Sequence, residues 1–268
     1  MNVHRFAIAV AATQLIAIVS GAYITSSRIA LGPGLARWVS AAHAGIGIAV
    51  LALALGLCLA APRVAAASIG FASLVLAVVV SGWPVLRVVW HAVFAHSSVA
   101  LTTAVAVVTS SAWIKPAERV ELGSWSALRP AAIATPPAVL VQISLGALYR
   151  HQVIGVMPHM LGAMVVALLT LVVSVVLLQH FTACRPLQSA ATALISIVLA
   201  QVCLGIAVFI MVLLDAGNTP AFAWTATAHV SVGSVTLAAS VVTAILVARL
   251  CVGDTPADRN TQSSGPST

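Results

Sequence analysis

The sequence predicts an all-α integral membrane protein of eight transmembrane helices, arranged as two four-helix bundle repeats. Three observations predict it. Of the 268 residues, 61% are hydrophobic and 6% are charged. A soluble domain carries roughly 25% charged residues, so a water-facing surface could not be built from this composition. Mean hydropathy is +1.12, and the apolar residues gather in long runs separated by short polar punctuation, as in a polytopic chain. Lastly, polar residues of one kind recur at matching places in the two halves of the chain.

The runs are justified in order. The first, about 6–25, follows His4 and Arg5. It exceeds the roughly 7–15 apolar residues of a signal-peptide core and lacks a small-residue cleavage site, so it reads as a helix. It carries Gln14 and ends on "GAYITSSR". The second, about 38–60, holds His43 near its start; the third, about 64–83, leads back; the fourth, about 86–113, holds His91 and His96. The fifth, about 131–149, contains "QISLGALYRH", and the sixth, about 153–178, holds His159. The seventh, about 189–214, contains "QVCLG", which shares Q-x-x-L-G with the fifth, and the eighth, about 222–249, holds His229. Each meets the roughly 20 apolar residues that a helix needs to cross the hydrocarbon core. Helices are required because each satisfies its own backbone hydrogen bonds in lipid.

The longest internal polar segment, "KPAERVELGSWSALRP", divides the chain. The expected organisation is an N-terminal four-helix half (1–114), a cytoplasmic linker (115–130), a C-terminal four-helix half (131–250) and a disordered tail (251–268). With the N-terminus inside, eight basic residues (Arg5, Arg63, Lys115, Arg119, Arg129, Arg185, Arg249, Arg259) lie inside and four (Arg28, Arg37, Arg87, Arg150) outside. This bias places both termini in the cytoplasm, for a multi-pass protein of the inner (plasma) membrane. The net charge of +7 reads as anchoring to anionic lipid rather than nucleic-acid binding. Cys58, Cys184, Cys203 and Cys251 show no CxxC spacing and none falls in an outer loop, so they read as packing residues. No soluble catalytic domain is present, which leaves chemistry to residues in or near the membrane.

The informative residues are histidines. His43, His91, His159 and His229 each lie about five to seven residues into an even-numbered run, at one level roughly 7–11 Å below the outer helix ends at ~1.5 Å per residue. A histidine inside a transmembrane segment is a functional hypothesis by default. An interhelical hydrogen bond, worth roughly 1 kcal/mol, accounts for one such residue more readily than for four. A proton relay normally recruits carboxylates, and the outer side offers Asp215 alone. Zinc needs a third ligand, and none has a suitable spacing. Haem between facing helices with imidazole axial ligands fits better. Small residues follow the histidines in "HAGIG", "HMLGA" and "HVSVGS". Arg87, four residues before His91, and Arg150 are candidate partners for haem propionates, or interfacial residues that snorkel. His96 lies five residues after His91, about 140° around the helix, so both cannot face one iron; His91 matches the entry depth of the other three and has small Ala95 four residues on, so it is the preferred ligand and His96 the alternative. His151 is expected in the outer loop, and His4 and His180 on the inner surface.

This ordered set, with "QISLGALYRH…PHMLGA" followed by "QVCLG…AHVSVGS", resembles haem A synthase and its bacterial cytochrome-oxidase-assembly relatives over nearly the whole chain apart from the tail. The resemblance implies an oxidoreductase that hydroxylates a methyl group of haem O on the way to haem A. It implies a haem b held by His159 and His229, and a second, substrate haem held by His43 and His91. Electron-donor proteins and factors of respiratory oxidase assembly would be partners. The sequence departs from the family in its first half. Ser40, in "RWVSAAH", stands where the family has a glutamate, and no glutamate precedes Glu118. The first outer loop, "SSRIALGPGLAR", lacks the cysteine pair common in bacterial members, and "GAYITSS" lacks the basic residue expected there. Two further readings stay open: a bis-histidine dihaem b-type electron carrier, and a non-catalytic haem-binding subunit.

Overall fold

The computed structural model describes residues 2–27, 33–83, 89–115 and 119–252 and is that of an all-α membrane protein. Its eight principal helices are α1 (Val3–Ser26), α2 (Pro33–Ala60), α3 (Ala65–Ser81), α4 (Trp90–Val108), α5 (Leu128–Arg150), α6 (Val156–His180), α7 (Arg185–Leu213) and α8 (Pro220–Leu250). Arg28, Arg87, Glu118 and the tail from residue 253 lie outside the described residues.

Among the described residues, seven helices are long and apolar enough to cross a membrane. The exception is α3, whose 17 residues span about 25 Å at ~1.5 Å each, short of the ~30 Å hydrocarbon core. The run predicted over 86–113 is also interrupted. Helix α4 stops at Val108, and Ser110 caps a separate turn of helix, Ser111–Ile114, by accepting from the Trp113 N–H at 3.1 Å. Other helix starts follow the expected chemistry. Asn2 accepts from Arg5 N–H at 2.9 Å to open α1, and Thr219, before Pro220, accepts from Phe222 N–H at 3.1 Å to open α8.

Within each half the helices close a ring. α1 packs on α2, α2 on α3, α3 on α4 and α4 on α1; α5 packs on α6, α6 on α7, α7 on α8 and α8 on α5. The halves meet through α1 with α8, α4 with α5, and α4 with α8. Exchanging the halves (α1 for α5, α4 for α8) maps this set onto itself, which is the contact pattern of a two-fold pseudo-repeat. The short turns after α2 and α6 correspond too. Ala61 N–H donates to Leu57 O and Val64 N–H to Ala61 O, as Phe181 N–H does to Leu177 O and Cys184 N–H to Phe181 O.

One side of the fold gathers both ends of the described chain. His4, half-buried, is tied to α4, its Nδ1 donating to the Ala106 carbonyl at 2.7 Å. His180 is exposed, with its ring 4.5 Å from that of Trp125. A two-residue strand β1 (Val120–Glu121) in the linker pairs in parallel with β2 (Cys251–Val252). The tail predicted to begin at residue 251 therefore starts with two ordered residues. Arg249 lies 4.0 Å over the Trp113 ring and donates to the carbonyls of Trp113 and Lys115, so the linker is strapped to the end of α8. All four thiols are free. That of Cys251 is pushed up to about 11, chiefly by burial, with Cys184 adding to the effect and Arg129 opposing it.

Buried apolar clusters fill the terminal-side half of each bundle. One joins Ala7, Val10, Val50, Leu57, Leu74 and Val105; the other joins Leu128, Val173, Leu177, Leu187 and Val247. Toward the opposite side, no described side chain of α2 before Val50 and none of α6 before Val166 is buried. The histidines lie at that end.

Candidate functional site

The four histidines come together as two pairs. The rings of His43 (α2) and His91 (α4) have centroids 6.4 Å apart at 67°, and those of His159 (α6) and His229 (α8) are 6.3 Å apart at 86°. Because α2 corresponds to α6 and α4 to α8, the pairs occupy equivalent places in the two bundles. The equal depth expected from the runs is not what produces this. His43 is the eleventh residue of its helix and His229 the tenth, whereas His91 is the second and His159 the fourth. Each pair joins one helix that starts early to one that starts late.

Three of the rings are seated on glycines of the preceding odd-numbered helix. A Cβ at Gly21 would lie 3.0 Å from His43 Cε1, at Gly146 2.9 Å from His159 Cε1, and at Gly205 3.1 Å from His229 Cε1. The main-chain carbonyls four residues earlier, of Ala17, Gln142 and Gln201, lie beside the same imidazoles. His91 follows the rule on α3, its Nδ1 donating to the Ala77 carbonyl at 2.8 Å, but Ser81 stands where the others have glycine.

Hydrogen bonds orient the rings. Ser20 Oγ donates to the Ala17 carbonyl at 2.8 Å, so it accepts from His43 Nδ1 at 2.8 Å. Both first-half rings therefore carry their proton on Nδ1 and present a bare Nε2. Gln142 Nε2 donates to the main-chain oxygen of His159 at 2.8 Å and contacts His159 Nδ1 at 2.9 Å. His229 Nδ1, Gln142 Oε1 and Gln201 Oε1 are buried without a partner among the described residues. His96 does not join either pair; its Nδ1 donates back to Ala92 of its own helix at 2.6 Å, and the side chain is buried. Arg150 reaches from α5 to the first half, donating to the Ala22 carbonyl at 3.0 Å and to Ser26 Oγ, and lies within electrostatic reach of His229.

Two imidazoles on opposite sides of one metal, each about 2 Å from it through nitrogen, place their ring centres about 6.3 Å apart. Both pairs match that separation. Among the described residues no three His, Cys, Asp or Glu side chains assemble as a metal site. The described carboxylates are Glu121, on the terminal side, and Asp215, in the turn after α7; neither is near His43 or His91 in sequence, and Ser40 supplies none.

Sequence reasoning missed the glycine seats, Ser20 and the role of Gln142. The repeated Q-x-x-L-G held the signal, since its glutamine and glycine are one helical turn apart and both face the histidine. Gln14 of α1 does not take the place that Gln142 has on α5. It lies seven residues before Gly21 and donates to Ser98 Oγ at 2.9 Å, which in turn donates to the Gly70 carbonyl at 2.9 Å. No protein-family model matches the chain, and a search of curated proteins finds no match to it.

Proposed function

We propose that this chain is a haem-binding membrane protein built on the plan of haem A synthase. In this reading His159 and His229 hold a haem b, and His43 and His91 hold a second haem, which is haem O if the protein is an enzyme. One observation carries the reading: two imidazole pairs at equivalent places in two bundles, 6.4 and 6.3 Å apart, each matching axial ligation of one iron. The glycine seats and the sparsely buried histidine ends of α2 and α6 suit a planar macrocycle between helices. If bound, haem would supply electron-transfer and oxygen chemistry. The chain's own residues ligate, orient and bury the group, and Arg150 places a positive charge beside the second-half pair. The setting proposed is the inner membrane with both termini cytoplasmic, alongside an electron donor or a respiratory oxidase under assembly.

A second reading, a dihaem b-type electron carrier, is favoured by Ser40 and by the lack of a sequence-near carboxylate in the first half. The deciding experiment is to purify the protein with its pigments, extract the haems for mass analysis, and record reduced-minus-oxidised spectra of wild type and His159→Ala. Haem O or its hydroxylated products support the enzyme, and haem b alone supports the carrier. Folded wild type free of haem overturns both.

A further inference from the structure

Away from the histidines, α4, α7 and α8 border an apolar groove of about 270 Å³, lined by Ala190, Ala193, Val235, Ala238, Ala239 and Val242. Thr103 of α4 completes the lining, and its hydroxyl is engaged with its own helix, donating to the Val99 carbonyl at 2.9 Å. Exchanging the halves, which sets His91 on His229 and Ala77 on Gln201, puts Leu101 in the place of Ala239 and Ile69 in the place of Ala193. At both positions the second half has the smaller residue. Val242 and Val235 lie 8 and 15 residues before Leu250, about 12 and 22 Å from the end of α8 at ~1.5 Å per residue. The groove therefore sits at the depth of the lipid chains on the terminal side, within the ~30 Å hydrocarbon core.

The terminal-side end of the groove is cationic. Arg249 follows Val242, Ala238 and Val235 by seven, eleven and fourteen residues, so the four share one face of α8. Its guanidinium lies 4.0 Å over the Trp113 ring, and Nη2 donates to the carbonyls of Trp113 and Lys115. These contacts fix the group while leaving Nε and Nη1 without a bond among the described residues. The exposed Lys115 brings a second cation to the same place. In the first half Ser111 stands where α8 has Arg249. A groove of alanines and valines facing hydrocarbon takes an apolar chain, and guanidinium and ammonium groups at its headgroup end take an anion. We propose that this groove is a binding site for an anionic phospholipid of the leaflet on the terminal side. One acyl chain lies against Ala193 and Ala238, and the phosphate meets Arg249 and Lys115.

Native mass spectrometry of the delipidated full chain in detergent gives the Kd of the first lipid bound. The probes are phosphatidylglycerol and phosphatidylcholine with identical acyl chains. A basic residue at a membrane surface favours an anionic lipid about fivefold, so two cations give wild type a preference for phosphatidylglycerol of about 25-fold. Arg249→Gln is expected to cut that preference about fivefold and leave phosphatidylcholine binding as in wild type. Loosening of the linker strap alone would weaken both lipids alike and would overturn the assignment of Arg249. Lys115→Gln is expected to match Arg249→Gln, and decides on the same reading if Arg249→Gln does not fold. Ala193 is exposed, so Ala193→Ile, which copies the first half, is expected to fold. It should weaken both lipids at least fivefold while keeping the preference. Equal affinity of wild type for the two lipids overturns the proposal, and so does an Ala193→Ile protein that binds both as wild type does. A retained isoprenoid in place of phospholipid, or a dimer that Ala193→Ile splits, overturns it as well. The readout is lipid alone, so it stands apart from whether the protein binds haem.

Discussion

Replacing Gly146 by alanine adds one carbon to α5 and tests the seating of His159 most sharply. The new Cβ would lie 2.9 Å from His159 Cε1 and 3.2 Å from Nδ1, whereas ordinary contact begins at 3.4 Å. The ring must therefore retreat by at least 3.4 − 2.9 = 0.5 Å. Overpacking of this kind typically costs about 1–3 kcal/mol, which is roughly 5- to 150-fold in affinity at ~1.4 kcal/mol per decade. Helix propensity runs the other way, since alanine is about 1 kcal/mol better than glycine in a helix interior. The two leave a net loss of about 0–2 kcal/mol in stability, so a loss of haem affinity that exceeds the loss of stability is the signature of a seat. The assay is haemin titration of haem-free protein followed at the Soret band, with thermal stability in detergent measured alongside. Gly47→Ala, where an added Cβ meets nothing within 4 Å, serves as control and is expected to bind as wild type does. Unchanged affinity and an unchanged spectrum in Gly146→Ala would refute the reasoning.

Four further outcomes are expected. His91→Ala removes the first-half haem signal, whereas His96→Ala leaves it, because His96 Nδ1 is committed to its own helix; difference spectra of the two variants check this. Ser98→Ala strips Gln14 of its buried acceptor and costs about 1–3 kcal/mol, read as a lower Tm with haem content at low temperature preserved. Arg249→Ala releases the linker from Trp113 and Lys115, and tryptic cleavage after Arg119 is expected to accelerate by tenfold or more. The Cys251 thiol, pushed up to about 11, stays protonated at pH 8 and resists maleimide in the folded protein; labelling that matches the unfolded chain would contradict its burial.

The helices were legible because apolar runs of membrane length permit little else. The pairing of halves was legible because His43, His91, His159 and His229 recur in register. Helix starts were not: Pro33 and Pro220 open α2 and α8 about ten residues ahead of their histidines, while α4 and α6 open almost at theirs. A run of apolar residues does not reveal where its backbone begins to coil. The preference for His91 over His96 rested on its depth in the run and on small Ala95 one turn on, and the structure adds what those cannot, a bond from His96 to Ala92. The glycine seats depend on contacts between helices, so Gly146 and Gly205 read as small residues near a terminus until His159 and His229 are laid against them. The strap formed by Arg249, Trp113 and two-residue strands is wholly tertiary and leaves no periodic trace.

The most direct measurement is the haem-to-protein ratio of purified wild type, His43→Ala, His159→Ala and the double variant, each verified as folded. The account predicts two haems in wild type, one in each single variant with a different spectrum retained, and none in the double. A folded double variant that keeps its haem, with its reduced spectrum intact, would contradict the claim that these pairs hold the iron.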